Sequence, residues 1–166
     1  MSPQPFTLLF LCTANSARSI LAEAVLNAAA AGRMRAFSAG SQPRGEVNPD
    51  ALRCLERAGY ALDGLASKSW DRFTGPDAPT IDAAITLCDS AAAESCPLFP
   101  GGGLRAHWGL PDPAAVAGDD ARRQAAFADT LQRVRARVDR LLALPVETMT
   151  AESLKRELVM IGRHTD

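Results

Sequence analysis

The apolar run Phe6-Thr7-Leu8-Leu9-Phe10-Leu11 leads directly into Cys12-Thr13-Ala14-Asn15-Ser16-Ala17-Arg18-Ser19, and an alanine-rich stretch follows from Ser19 to Ala31. A short apolar run bounded by a polar loop reads as a buried strand. The next stretch, with Ile20, Ala24 and Leu26 at helical spacing, reads as an amphipathic helix. Strand, tight loop and helix make the first half of a βαβ unit, whose second strand must lie parallel to the first.

The rest of the chain repeats this alternation. Arg35 to Gly40 reads as a second strand ending in a glycine turn. Asn48-Pro49 is an N-cap followed by proline at the first helical position, opening a helix that runs to about Ala58 and stops at Gly59. Ala83 to Leu87, ending at Cys88, and Leu104 to Trp108, followed by Gly109-Leu110-Pro111-Asp112-Pro113, are the third and fourth strands. From Asp119 to about Leu144, Phe127, Leu131, Val134, Val138 and Leu141 recur at spacings of four and three, a long amphipathic helix with its arginines on a solvated face. Thr150 caps a last helix carrying Leu154, Leu158 and Ile161, beyond a break at Pro145. The fold expected is therefore α/β: three layers around a central four-stranded parallel sheet, a single domain with its core in residues 6–144 and a helical tail over 145–166.

In such sheets ligands bind beyond the carboxyl ends of the strands. Cys12, Cys88 and Asp112 each fall at or just past such an end, so the topology gathers them on one rim. The loop from Cys12 to Ser19 precedes a helix N-terminus, whose unpaired N–H groups carry roughly half a positive charge. An oxyanion can lodge there, with Thr13, Ala14, Asn15, Ser16, Ala17 and Ser19 around it and Arg18 as a bidentate donor. The same field acts on Cys12. A thiol of ordinary pKa, about 8.5, is only about 3% ionised at pH 7, and a downward shift of about two units makes it mostly thiolate. Ser16 and Ser19 can add hydroxyl donors. Asp112, stiffened between two prolines, can protonate a departing oxygen. Taken alone, Cys12 suits a buried small hydrophobe equally well, and an Asp-Pro such as Asp112-Pro113 is most often a turn; their shared context favours chemistry.

Composition limits the alternatives. A formal charge of −1 and pI near 6.1 lack the concentrated basic face that nucleic-acid binding needs. The N-terminus has no positive stretch before its apolar run, which is too short for a signal segment or membrane span, so a cytoplasmic protein is expected. Of the four cysteines, Cys54 lies mid-helix beside Leu52 and Leu55 and is assigned to packing. No CxxC pair occurs and the two histidines are far apart, so neither a zinc site nor any cofactor is expected. Cys88 and Cys96 flank a small-residue polar segment that must loop or partly unwind for them to bond.

Taken together, Cys12 to Ser19, Phe37-Ser38-Ala39-Gly40, Thr86-Leu87-Cys88-Asp89, Cys96-Pro97 and His107-Trp108-Gly109-Leu110-Pro111-Asp112-Pro113 resemble the arsenate reductases built on the low-molecular-weight protein tyrosine phosphatase fold. The resemblance spans roughly residues 6–144. It implies a thiol relay: arsenate binds in the Cys12–Arg18 loop, Cys12 attacks arsenic, Asp112 protonates the departing hydroxide, and Cys88 attacks Cys12 to release arsenite. Cys96 then resolves the Cys12–Cys88 disulfide, and thioredoxin or a glutathione/glutaredoxin system reduces the product. The chain departs from the pattern in three places. Ala14 replaces a frequent glycine, which stores strain if its φ is positive. Ala17 replaces the second loop cysteine of phosphatases. Asn15, Glu23 and Ser38 match a potassium site of some members, but the stretch that should complete it reads Ser69-Trp70-Asp71. Hydrolysis of phosphomonoesters at the same loop is the alternative activity, disfavoured because Ala114 and Ala115 stand where phosphatases carry tyrosines. A redox sensor that binds anions without turnover is a third.

Overall fold

A computed structural model describes residues 4–93, 99–101 and 103–164. Its sheet has four parallel strands in the order β2-β1-β3-β4, formed by β1 (Phe6–Leu11), β2 (Met34–Ala39), β3 (Ala83–Thr86) and β4 (Leu104–His107). Helices α1 (Arg18–Ala29), α2 (Pro49–Arg57), α3 (Asp89–Ala93), α4 (Asp120–Leu142) and α5 (Ala151–Arg163) connect and cover it. The expected three-layer α/β architecture with a helical tail is what the chain adopts.

β1 lies between β2 and β3, and its side chains alternate between two apolar clusters. Leu8 and Phe10 join the larger one with Ile20, Leu21, Val25, Phe127, Leu131 and Trp108, whereas Leu9 and Leu11 join Phe73, Ile81, Ala84 and Phe99 on the opposite face. α1 departs from the amphipathic expectation: Ser19 to Leu26 are all buried, because the helix packs against α2 and α4 as well as the sheet.

Local signals set most boundaries. The Asn48 side chain accepts from the N–H groups of Asp50 and Ala51 at 2.8 and 3.3 Å, with Pro49 opening α2. Asp119 caps α4 through Arg122 N at 3.0 Å, and Thr150 caps α5 through Ser153 N at 3.1 Å. β3 and β4 each end one residue earlier than expected, yet ladder-like bonds run on from Leu87 N to Leu11 O and from Trp108 N to Thr86 O. β2 begins one residue early, where Met34 pairs with Phe6, and stops before Gly40, which bridges to Ser69 instead. Gly40 has to be glycine: a Cβ there would lie 2.6 Å from the Cys12 carbonyl oxygen and still closer to that of Thr13.

The arginines of α4 do not all face solvent. Arg137 is buried, and its guanidinium donates to the carbonyls of Trp108 and Gly109 at 2.6 and 3.2 Å, holding the chain just after β4. α5 grips the same segment from another side: the Trp108 indole N–H donates to Leu158 O at 2.9 Å, and Gly162 packs so tightly on the His107 carbonyl that no Cβ fits. Cys54 is half-buried against the larger cluster, as its packing assignment anticipates.

Candidate active site

The loop after β1 is braced from outside. Gln42 N donates to Thr13 O, Arg44 N and Ser67 Oγ to Ala14 O, and Asn48 N to Ser16 O, all between 2.9 and 3.1 Å. Those carbonyls are thus committed to flanking segments and do not compete for an anion. The positive φ falls on Asn15, at 45°, and not on Ala14, so the strain anticipated for an alanine is absent. Asparagine tolerates this conformation well. Asn15 is fully buried; its Nδ2 donates to Ser19 Oγ and its Oδ1 accepts from Lys68 N, both at 2.8 Å. Ser19 Oγ therefore braces the loop as an acceptor and keeps its own hydroxyl proton to donate. Ala17, at the N-cap of α1, supplies no side-chain cap, which leaves the first-turn N–H groups for an anion.

A cavity of about 160 Å³ opens over this loop. Each water in the liquid takes about 30 Å³, so one tetrahedral oxyanion fits. Cys12, Arg18, Arg44, Cys88, Ser90 and Asp112 line it, together with loop residues. Arg18 is steered by Leu110 O, which accepts from Nη1 at 2.9 Å, and by Asp112, whose Oδ2 lies 3.9 Å from Nη2. Arg18 Nε is buried with no partner among the described residues, a donor left for a ligand. Asp112 also accepts from Ala114 N at 2.9 Å, which fixes it as the cap of the short helical turn at Pro113–Ala115.

The sulfurs of Cys12 and Cys88 meet beneath this cavity in a small buried cluster with Ala91. Thr13 N and Ala91 N reach Cys88 Sγ at 3.5 and 3.4 Å. Its interaction with the neighbouring Cys12 thiol, together with these backbone donors, pulls the Cys88 thiol down to about 5. Cys12 moves the other way, pushed up by donating to Cys88 and by burial, against the pull of Arg18. Backbone donors thus converge on Cys88. Cys96 lies outside the described residues.

Glu23, Ser38 and Lys68 form a layer under the loop. Ser38 Oγ donates to Glu23 Oε1 at 2.5 Å and Lys68 Nζ lies 3.8 Å from the same oxygen. Burial pushes the Glu23 carboxyl up, while Ser38 and Lys68 pull it back. Burial likewise lowers the Lys68 ammonium, against the pull of Glu23. Ser69 and Asp71 do not complete a potassium site: the Ser69 hydroxyl accepts from Asp71 N at 3.1 Å and Asp71 is exposed. No group of three or more His, Cys, Asp and Glu among the described residues is placed to hold a metal.

The sequence profile described as low molecular weight phosphotyrosine protein phosphatase matches residues 7–159. The chain belongs to that family. Within the family, an arsenate reductase of Bacillus licheniformis is 37% identical over 130 residues, covering 78% of this chain and 86% of the relative. A solved structure described as an arsenate reductase in the phosphate binding state superposes with a TM-score of 0.63 at 27% identity, over 82% of this chain and 96% of the other. A thioredoxin-dependent arsenate reductase of Corynebacterium glutamicum superposes with a TM-score of 0.56 at 28% identity, over 81% and 60%.

Sequence reasoning missed three residues of this family site. Arg44 and Ser90 line the cavity, and Lys68 reaches Glu23 below it. Arg44 and Lys68 lie in irregular stretches with no periodic pattern to place them. Ser90 does follow Cys88 closely, and the helix start there was the available signal. Among the described residues no helix is long and apolar enough to cross a membrane.

Proposed function

We propose that this chain reduces arsenate to arsenite with Cys12, Cys88 and Cys96 as a thiol relay, in one catalytic domain working in the cytoplasm. The observation that carries the reading is the contact between the Cys12 and Cys88 sulfurs at the floor of an arginine-lined cavity. Simple ester hydrolysis has no use for a second thiol there. The relatives named arsenate reductase support the same activity.

The proposed relay runs in these steps. Arsenate binds in the loop against Arg18, and the shared proton passes from Cys12 to Cys88. The Cys12 thiolate then forms an S–As bond while Asp112 protonates the departing hydroxide to water. Loss of a proton from Cys88, favoured by the N–H groups of Thr13 and Ala91, readies it to attack Cys12. The S–As bond breaks, its electron pair stays on arsenic, and arsenite leaves a Cys12–Cys88 disulfide. Cys96 attacks Cys88 to free Cys12, and an external dithiol reduces the Cys88–Cys96 bond. The thioredoxin dependence of the Corynebacterium relative favours thioredoxin over glutathione/glutaredoxin as that reductant.

The test is arsenate-dependent NADPH oxidation with thioredoxin and its reductase, set beside glutathione and glutaredoxin. Wild type turns over, and Cys12→Ser, Cys88→Ser and Cys96→Ser each stop thioredoxin-coupled turnover. Turnover surviving Cys88→Ser refutes the relay. Fast aryl phosphate hydrolysis indifferent to Cys88 favours a phosphatase, and oxidation-dependent partner binding without turnover favours a sensor.

A further inference from the structure

Lys68 places an ammonium group where surface lysines do not sit. Its side chain is 11% exposed and faces Glu23, itself 10% exposed, at 3.8 Å. Nζ also donates to Ala66 O at 2.7 Å. The same Glu23 oxygen accepts from Ser38, which is fully buried. A buried carboxylate is costly unless a cation and hydrogen bonds compensate it.

The backbone of Lys68 is tied to the oxyanion loop. Its N–H donates to Asn15 Oδ1 at 2.8 Å and its carbonyl accepts from Gly40 N at 2.9 Å. Neighbouring Ser67 donates to Ala14 O at 3.1 Å. Asn15 holds the one left-handed turn of the loop, so a shift at residue 68 passes directly to the backbone that cradles the anion. A carboxylate oxygen and a backbone carbonyl around one point are also the hard donors that a bound monovalent cation takes.

We propose that Lys68 is a positioning residue of the oxyanion loop, its ammonium standing as a built-in counter-ion of Glu23 in place of a bound potassium ion. The inference rests on residues 12–18 forming an oxyanion loop, and not on arsenate being the substrate.

The test measures the dissociation constant of inorganic phosphate and the melting temperature in KCl and in choline chloride at equal ionic strength. Wild type gives the same values in both salts. Lys68→Ala, which opens a space beside Glu23, binds phosphate about tenfold more weakly in choline, about 1.4 kcal/mol. KCl restores most of that affinity and raises its melting temperature. Lys68→Met keeps the stem, leaves no room for an ion, and shows the loss without restoration. A potassium-specific response of wild type overturns the proposal, as does a loss in Lys68→Ala that no monovalent cation reverses, or phosphate affinity unchanged in both variants. If Lys68→Ala fails to fold, wild type and Lys68→Met still decide. Arsenate turnover, measured separately, tests the functional reading: a chain with the expected cation pattern that leaves arsenate unreduced sinks that reading alone.

Discussion

The backbone N–H of Thr13 lies 3.5 Å from the sulfur of Cys88, so the residue that follows the nucleophile in sequence solvates the second thiol. The loop after β1 thus serves two sulfurs at once.

Removing one sulfur should change the acidity of the other. In Cys88→Ser the Cys12 thiol loses the acceptor and the charge that push it up, while Arg18 still pulls it down. Its apparent pKa should fall. Alkylation by iodoacetamide, followed by mass spectrometry across pH, measures this. In wild type the ionised fraction of Cys88 should decline as pH falls through about 5, with Cys12 unreactive at pH 6. An unchanged Cys12 profile in the variant counts against this coupling of the two thiols.

Asp112→Asn removes the proposed proton donor and leaves the loop intact. Loss of a general acid costs about 10²- to 10⁴-fold. Arsenate turnover should drop by that order, while inhibition by phosphate persists because Arg18 keeps its bond to Leu110 O. Equal losses in turnover and phosphate affinity would assign Asp112 to binding instead.

Arg44 lines the mouth of the cavity and is exposed, so its charge acts through solvent. An exposed pairing is worth about 0.2–1 kcal/mol. Arg44→Ala should raise KM for arsenate by roughly 1.4- to fivefold at low salt with little change in kcat, RT being about 0.59 kcal/mol. The difference should shrink as ionic strength rises.

The legible parts of this fold are those written in neighbouring residues. Asn48-Pro49 announces α2, and the four-three spacing from Phe127 to Leu141 announces the buried stripe of α4. Cys12, Cys88 and Asp112 could be gathered on one rim because parallel topology fixes which strand ends share a side. The donors around Cys88 were not legible, since they come from Thr13 and Ala91 and converge only in three dimensions. Arg137 was misread for the same reason: its carbonyl partners at Trp108 and Gly109 lie far away in sequence.

Gly162→Val forces a side chain into the His107 carbonyl and against Trp108 Cδ1, 2.8 Å from the ideal Cβ position. Overpacking of this kind costs about 1–3 kcal/mol. Thermal unfolding should show a melting temperature lower by roughly 2–12 °C, at about 2–4 °C per kcal/mol for a chain of this size. Arsenate turnover at 25 °C should fall as well, because α5 fastens the segment that leads to Asp112. Full activity with a normal melting temperature would show that α5 tolerates being pushed off β4.

The seating of Gly162 against His107 makes the two termini unequal as handles. β1 starts at Phe6 and delivers Cys12 at its far end, six residues on, or roughly 20 Å at about 3.3 Å per residue. The amino terminus therefore enters on the side of the sheet remote from the chemistry, whereas α5 ends beside the strand that feeds the acid loop. A fusion partner joined ahead of residue 6 leaves the mouth of the cavity open. One joined after residue 164 starts from the end of β4 that leads to Asp112.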